Sequence, residues 1–274
     1  MPQGPQRIVC LTEEPTEILY ALGEGHRVVG ISAYTVRPPE AQRDKKVVSA
    51  FLDGSLPKIQ ALEPDLVIGF SDIQAKLAAK LISAHLPVLI FNQRTIQEIL
   101  DVIVQIGSLV GKRAKAQELV SDYLRRIDVI SGRYASMDSK PRVYFEEWYD
   151  PMITGIHWVH ELIEIAGGQN VFEEKCREKG AMDRVVTVED VLAEKPDVYL
   201  ASWCGAPFKT SQVLAREGFD QMPAIQAGRV YEIPPEWILQ PGPACLTDGL
   251  DCIEACIHNT AASEPYRRVL HAPS

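Results

Sequence analysis

The chain has 274 residues, of which 46% are hydrophobic and 24% are charged, and its net charge at pH 7 is −9. This length suits about two domains, and the composition is typical of folded proteins and excludes a disordered or fibrous chain. The acidic balance disfavours binding to nucleic-acid phosphate or anionic lipid, and no apolar run approaches the ~18–20 residues of a membrane span. The sequence therefore predicts a folded protein that is neither membrane-embedded nor a nucleic-acid binder.

The first half of the chain alternates predicted strands and helices. A strand at residues 8–11 is followed by an amphipathic helix at 17–23 that closes on a glycine. Residues 56–68 read as a short helix, a proline stop and a buried strand, because proline cannot continue a helix and the apolar run after it has the composition of an inner parallel strand. Residues 88–91 supply a further strand.

The second half repeats this order. A strand at 142–145 precedes a helix at 161–167 that also closes on glycine, residues 188–200 again read as helix, proline and strand, and a last strand falls at 229–233. Strands alternating with helices, twice over, predict an α/β protein of two similar lobes with mainly parallel sheets.

A long helix is predicted between the halves, where apolar side chains recur at helical spacing at Leu119, Tyr123, Ile127 and Ile130. At about 1.5 Å per residue this helix would span roughly 35 Å, which makes it a rigid connector. We expect a ligand cleft between two lobes and three segments: an N-terminal lobe at 1–112, a connecting helix at 113–136 and a C-terminal lobe at 137–274.

Several motifs occur in a specific order, namely VGISAY at 29–34, Pro-Pro at 38–39, LEPDLVI at 62–68 and AGGQN at 166–170. Together they resemble the helical-backbone class (cluster A-II, class III) of ABC-importer substrate-binding proteins, most closely the vitamin B12-binding members. The resemblance covers residues 7–257. It implies a non-enzymatic protein, without a catalytic cofactor, that binds a metal–tetrapyrrole in the cleft. Cobalamin or another corrinoid is expected first, and haem or an iron–siderophore is the alternative.

The resemblance places the ligand at the carboxyl ends of the strands, where parallel sheets also gather their loops. Aromatic rings suit a broad apolar plate, because each ring can bury ~150–250 Å² with little loss of entropy. Packing in the core is the alternative for Phe51 and Phe70. Mapped position by position, the cleft-facing aromatics fall on Tyr34, Phe51, Phe70, Trp148 or Tyr149, and Trp237.

Further candidates follow predicted strands in the second half, namely His157, Trp158, Trp203 and Cys204. Because four tryptophans at strand exits are hard to explain by core packing alone, we expect Trp158 and Trp203 to line the site as well. Imidazole suits cobalt and iron, so His157 is a candidate axial ligand. Cys204 is a candidate for direct contact with the ligand.

The same region supports a hypothesis of a different class. His157 and His160, with Glu161 and Glu164 on the same helical side, could hold a metal ion. A tetrapyrrole-modifying enzyme, such as a cytoplasmic metal chelatase, would use such a group. Histidines that only begin the helix or line the cleft are the structural alternative.

The resemblance also implies a partner, an ABC permease whose arginines pair with one exposed carboxylate on each lobe. The second-lobe position falls on Glu189, whereas the first-lobe position holds the uncharged Pro57. Glu63 or Asp53 could substitute for the missing charge. A corrinoid-binding protein that feeds no transporter is therefore the alternative.

The first residues do not form a secretory signal, which needs a basic segment, ~7–15 apolar residues and a small-residue cleavage site. As it stands the sequence predicts a cytoplasmic protein, and a periplasmic or extracellular one if a leader has been removed. The six cysteines form no Cys-x-x-Cys pair. We expect most of them to be small buried apolar residues, which fits a reducing compartment.

Overall fold

The computed structural model describes residues 4–50, 53–259 and 267–268. The chain divides into two compact units, unit 1 formed by Met1–Tyr123 with Gln240–Pro243, and unit 2 formed by Leu124–Leu239 with Ala244–Ser274. Within the described residues each unit contains a six-stranded, mainly parallel sheet, which confirms the predicted α/β class. None of the described helices combines the length and apolar character needed to cross a membrane.

The sheet of unit 1 places the ends of its parallel strands at one edge. Its strands are β1 (Ile8–Cys10), β2 (Val28–Ser32), β3 (Lys46–Ala50), β4 (Asp53–Gly54), β5 (Leu66–Phe70) and β6 (Val88–Phe91). The spatial order is β4-β3-β2-β1-β5-β6, and only β3 and β4 pair antiparallel. The loops that follow β1, β2, β5 and β6 therefore leave the sheet at the same edge.

The helices of unit 1 are α1 (Glu13–Ala21), α2 (Pro39–Asp44), α3 (Leu56–Gln60), α4 (Ala75–Ser83) and α5 (Ile96–Leu109). Side-chain caps define two of their starts. The Ser55 hydroxyl accepts a hydrogen bond from the Lys58 N–H at the start of α3, and Thr95 forms a capping box with Glu98 at the start of α5. Such caps satisfy backbone donors that a helix leaves without partners at its first turn.

Unit 2 repeats the parallel arrangement around a longer first strand. Its strands are β7 (Arg142–Tyr149), β8 (Met152–Thr154), β9 (Gln169–Asn170), β10 (Val198–Ala201), β11 (Val230–Glu232) and β12 (Arg267–Arg268). The order is β12-β11-β10-β7-β8, and β9 also pairs with β7. Strands β7, β10 and β11 are parallel, whereas β8 and β12 run antiparallel to their neighbours.

The helices of unit 2 surround this sheet and a core that includes Tyr144, Val191, Tyr199 and Phe219. They are α7 (His157–Ile165), α8 (Glu173–Cys176), α9 (Val188–Glu194), α10 (Thr210–Leu214), α11 (Pro223–Gln226), α12 (Pro235–Ile238) and α13 (Leu250–His258), and they follow the helix α6 (Arg113–Tyr134). Five of the six cysteines are buried, as expected, and Cys204 is exposed.

An arginine–aspartate arrangement, which we call the strand clasp, fixes the start of β1 against β5. The Asp65 carboxylate accepts a hydrogen bond from the backbone N–H of Arg7 at 2.8 Å. In return, the Arg7 guanidinium donates to the carbonyl of Leu62, beyond the end of α3. The clasp thus ties the end of a helix to the first residues of two neighbouring strands, just before Ile8 pairs with Leu66.

The same strand clasp recurs in unit 2. Asp197 accepts from the Arg142 N–H at 2.8 Å, and the Arg142 guanidinium donates to the carbonyl of Glu194, the last residue of α9, at 2.9 Å. In both units the aspartate follows the proline that was predicted to stop the helix. The predicted internal repeat is therefore a repeat of hydrogen bonds as well as of sequence.

The predicted connecting helix is α6 (Arg113–Tyr134), which runs without interruption for 22 residues. The division of the chain falls inside it, between Tyr123 and Leu124. The sequence also assigned all of residues 137–274 to the second lobe, whereas Gln240–Pro243 belongs to unit 1. This short segment contacts unit 1, where the Gln93 side-chain amide donates to the Pro241 carbonyl at 3.0 Å.

Replacing Gly167 by alanine should destabilise the protein. This predicted helix-closing glycine has φ +78°, and a Cβ there would lie 2.6 Å from the Tyr134 side chain. Strain and overpacking together should cost about 2–3 kcal/mol. The matched control is Gly132→Ala inside α6, where a Cβ meets open space and alanine should stabilise by about 0.5–1 kcal/mol. Urea unfolding followed by circular dichroism measures both, and equal midpoints for the two variants would contradict the prediction.

Candidate ligand-binding site

A row of aromatic rings lies at the carboxyl ends of β7 and β10 in unit 2. Ring centroids are 5.0 Å apart between Trp148 and Tyr149, 4.7 Å between Tyr149 and Trp203, and 4.8 Å between Trp203 and Phe208. We call these four residues the aromatic row. Trp203 is buried, whereas Trp148, Tyr149 and Phe208 are half-buried. The row therefore rests on a buried indole and keeps accessible ring surface at its outer members.

Strand β7 is longer than the predicted strand at 142–145, and it includes Trp148 and Tyr149. The antiparallel strand β8 pairs with its second half and brings Ile153 opposite Trp148 and Met152 opposite Tyr149. The Trp148 indole N–H donates to the Asp150 carbonyl at 2.9 Å. These two aromatic side chains are thus held by a paired strand rather than by a loop.

An ion pair with a fully buried carboxylate binds two members of the aromatic row. Glu146 is fully buried and accepts hydrogen bonds from Arg216 at 2.6 and 3.1 Å. It also accepts from the Trp203 indole N–H at 3.0 Å, and Arg216 donates to the Tyr149 carbonyl at 2.8 Å. Burial raises the pKa of Glu146, and the Arg216 guanidinium opposes that rise. The pair thus fixes one ring and the backbone of the next.

The neighbouring carboxylate, Glu147, is held by a second arginine, Arg184, which is buried. Arg184 donates to both carboxylate oxygens of Glu147, at 2.6 and 3.2 Å, and to the Thr154 carbonyl at 2.6 Å. The two arginines thus hold two successive carboxylates of β7, next to the register shift between Glu146 and Trp148. Sequence reasoning missed both arginines, and the pair of adjacent glutamates inside an apolar strand was the available signal.

Two tryptophans differ from the expectation that they line the site. The structure places Trp158 in the core, 3% exposed, with its indole N–H donating to the Ile238 carbonyl at 2.8 Å. Trp203 is 1% exposed, and its indole N–H donates to the Glu146 carboxylate. Both indoles have found their polar partner inside unit 2, so they present almost no surface to a ligand.

Three other predicted residues of unit 2 keep accessible surface. Trp237 is half-buried in α12, Cys204 is exposed after β10, and His157 is half-buried as the first residue of α7. They stay predictions as ligand contacts. These positions lie after the carboxyl ends of β10 and β11 or at a helix start, where side chains can face a ligand.

The two histidines of α7 lie close together, and they differ in burial. The rings of His157 and His160 are 5.9 Å apart. His160 is buried, its Nε2 lies 3.8 Å from the Glu173 carboxylate, and burial lowers its pKa. Within the described part of the chain, no group of three or more histidine, cysteine or acidic side chains is arranged to hold a metal ion.

The predicted aromatic residues of unit 1 differ in exposure. Tyr34, in the loop after β2, is 51% exposed. Phe70, the last residue of β5, is 5% exposed, which fits the core alternative stated for it. The Arg94 guanidinium lies over the Phe70 ring at 5.1 Å and donates to the Ser71 hydroxyl at 3.2 Å. Phe51 lies outside the described residues.

Two buried carboxyl groups follow β1 directly. Glu13 and Glu14 are 5% and 1% exposed, and one oxygen of each has no hydrogen-bond partner among the described residues. Burial is the main cause that raises the pKa of Glu13 to about 7 and the pKa of Glu14 to about 8. Repulsion by Glu13 adds to the rise at Glu14. Both carboxyl groups therefore keep their proton to a higher pH than an exposed glutamate does.

The predicted docking positions occupy equivalent places in the two units. Glu189 is the second residue of α9, after the cap residue Thr187, and Pro57 is the second residue of α3, after the cap residue Ser55. Both are exposed. Docking through Glu189 stays a prediction.

The variant Glu13→Gln/Glu14→Gln should change how stability depends on pH. In the wild type, the stability contributed by neutral carboxyls is complete below about pH 4.5 and is lost as pH rises through 7 to 8, because the unfolded chain ionises first. The loss approaches about 1.4 kcal/mol per pH unit for each group. The variant should therefore be more stable than the wild type at pH 8 and similar at pH 4.

Urea midpoints at pH 4, 6 and 8 measure this difference. The control is Glu40→Gln, an exposed glutamate of α2, which should leave the pH profile unchanged. Identical pH profiles for the double variant and the wild type would show that the buried carboxyls are not neutral in the folded protein.

Comparison with known proteins identifies the family. A model of the periplasmic binding protein family matches residues 8–237. The vitamin B12-binding protein of Vibrio parahaemolyticus is 27% identical over 261 residues, which cover 92% of this chain and 89% of that protein. An uncharacterized ABC transporter substrate-binding lipoprotein of Bacillus subtilis is 28% identical over 263 residues, which cover 93% of this chain and 80% of that protein.

Among solved structures, the apo form of the periplasmic heme-binding protein RhuT from Roseiflexus sp. RS-1 superposes with a TM-score of 0.78. It is 23% identical, and the match covers 93% of this chain and 100% of that one. This similarity shows that the fold is shared. Because the family model spans most of the sequence, the chain belongs to the periplasmic binding protein family.

Proposed function

We propose that this protein binds a metal–tetrapyrrole, a corrinoid such as cobalamin, without changing it chemically, as the substrate-binding component of an ABC importer. The observation that carries the proposal is the aromatic row at the carboxyl edge of the unit 2 sheet. Its members Trp148 and Tyr149 are half-buried, and the Tyr149 ring lies against the buried Trp203 indole. The name of the Vibrio relative supports a corrinoid, and that of the Bacillus relative supports a transporter.

The chemistry of a corrin fits this surface. A corrin is a broad plate with apolar faces and polar edges, and it loses water from a large area when it meets aromatic rings. Rigid rings bind such a plate with little loss of side-chain entropy. The ion pair between Glu146 and Arg216 orders the row before the ligand arrives, so little of the binding free energy is spent on ordering it.

Haem and iron–siderophores are the alternative ligands within the same proposal. A heme-binding protein shares the fold, and the half-buried His157 could ligate iron as well as cobalt. A chelatase would need several free ligand groups around one metal. His160 is instead buried beside Glu173, which favours a binding protein over a metal-inserting enzyme.

The proposed partner is an ABC permease, and the proposed location is outside the cytoplasm. The Bacillus relative is named a substrate-binding lipoprotein. Glu189 is exposed on the first turn of α9, where it could pair with an arginine of the permease. Such an exposed pair would guide docking more than it would strengthen binding.

Cyanocobalamin titrated into the purified protein should bind with a Kd below about 1 µM, a free energy of about −8 kcal/mol. Isothermal titration calorimetry measures this affinity, and quenching of tryptophan fluorescence reports contact with indoles. Trp148→Ala should weaken binding by about 10–100-fold, because it removes an outer ring of the aromatic row. The control Ile82→Ala removes an apolar side chain, 61% exposed, from α4 of unit 1. Absence of binding to cyanocobalamin, dicyanocobinamide and haemin at tens of micromolar would exclude the proposed function.

A further inference from the structure

Strand β6 is the last strand of the unit 1 sheet, and within the described residues no strand lies on its outer side. Its sequence, VLIF, contains no charged residue and no proline, and its first three side chains are half-buried. Charges, prolines and very short length usually keep an outer strand from pairing with another chain. The outer strands β4 and β12 have two residues each and β8 has three, so β6 is the least protected of the four.

The backbone of β6 directs hydrogen-bonding groups to this outer side at two residues. On the inner side, the carbonyls of Pro87 and Phe91 accept hydrogen bonds from β5 and the residue after it, at 2.9 and 2.6 Å. The N–H and C=O of one residue point to the same side of a strand, and that side alternates from residue to residue. Val88 and Ile90 therefore direct both their N–H and their C=O outward.

An apolar groove of about 640 Å³ lies beside this strand, and all of its lining residues belong to unit 1. Its lining includes the apolar side chains of Leu89, Phe91, Val104 and Leu109 and the charged side chains of Asp101 and Arg113. A surface with one acid and one base is complementary to a copy of itself, because a two-fold axis can place each charge opposite its counterpart.

We infer that β6 forms the interface of a homodimer, in which it pairs antiparallel with β6 of a second copy. A two-fold axis at Leu89 places Val88 opposite Ile90 of the partner subunit. Residues at such positions exchange both backbone hydrogen bonds, so every outward N–H and C=O of Val88 and Ile90 is satisfied. The two sheets become continuous, and Leu89 meets its own copy at the axis, beside the two grooves.

A second copy suits this edge better than an unrelated extended peptide. A peptide could satisfy the backbone groups of β6, but it would bring no partner for Asp101 and Arg113 at the groove. The copy supplies both charges in the same arrangement, together with an apolar strand of equal length. Backbone pairing, apolar contact and charge therefore select the same occupant.

Sedimentation velocity of the purified protein, without ligand, measures the association. We expect a species of twice the mass of one chain to predominate at about 100 µM and to dissociate as the protein is diluted towards about 1 µM. This behaviour corresponds to a Kd of about 10 µM, as suits a small interface between short strands.

An exchange of charge at Leu89 tests the two-fold axis. Leu89→Lys or Leu89→Glu alone places like charges on Cβ atoms about 4.5–5.5 Å apart, so each should weaken dimerisation at least about tenfold. An equimolar mixture of the two variants should form a dimer again, because opposite charges now meet at the axis. Mixing does not repair a folding defect. The matched control is Val47→Lys, 44% exposed on β3 of the same sheet, which should leave the dimer unchanged.

Val88→Pro tests the backbone pairing independently of charge. Proline lacks an N–H, and the Val88 N–H faces outward, so the variant loses a bond to the second copy and none to β5. Dimerisation should weaken about tenfold, while circular dichroism shows the folded spectrum of the wild type.

Three results would overturn the homodimer. The wild type could stay monomeric at about 100 µM, the Leu89 variants and Val88→Pro could leave a dimer intact, or the mixture of Leu89→Lys with Leu89→Glu could stay monomeric. Binding of cyanocobalamin is measured separately on the same samples. These results therefore leave the proposed function unaffected.

Discussion

The strand clasp is the interaction on which the placement of the site depends. In each unit an aspartate accepts from the backbone N–H of an arginine, and the arginine side chain binds a carbonyl at the end of the preceding helix. Neighbouring parallel strands therefore start in register. Since the strands start level and run in the same direction, their carboxyl ends deliver their loops to one edge of the sheet. The clasp contacts no candidate ligand residue, yet it determines where those residues emerge.

The ion pair at the carboxyl edge of the unit 2 sheet determines the positions of its neighbours more than it stabilises the fold. Taking Glu146 and Arg216 out of water costs free energy that their mutual attraction repays only in part, so such a pair is weak evidence for a stabilising role. Its hydrogen bonds instead specify one position for the Trp203 indole and one path for the Tyr149 backbone. A hydrophobic core alone would let the rings repack. The ion pair therefore connects the fold to the shape of the aromatic row.

Local signals in the sequence were sufficient for most elements of the fold. Proline after a short helix marked the passage from α3 to β5 and from α9 to β10, because proline cannot extend a helix. Gly23 and Gly167 marked the ends of α1 and α7, and both have the positive φ that favours glycine. The apolar period predicted α6. Each of these signals acts within a few residues, which is why a single sequence reveals it.

The contents of the candidate site were harder to predict, since they depend on partners that are distant in the chain. Arg184 reaches Glu147 across 37 positions, and Arg216 reaches Glu146 across 70. Trp158 turned into the core because its N–H met a carbonyl 80 residues away. Periodicity carries no information about such pairs. Strand exits could be located from the sequence, but which side chains remain at the surface there could not.

The two units show how one repeated framework supports two different edges. The clasp uses backbone groups and three residues, so it tolerates any sequence in the loops at the other end of the strands. In unit 2 the loops carry a row of tilted aromatic rings held by two arginines, whereas unit 1 has buried carboxyls after β1 and an arginine over Phe70. The two units also differ at equivalent helix starts, where unit 1 has Pro57 and unit 2 has Glu189. The repeat therefore explains the fold, and the differences between its copies carry the information about ligand and partner.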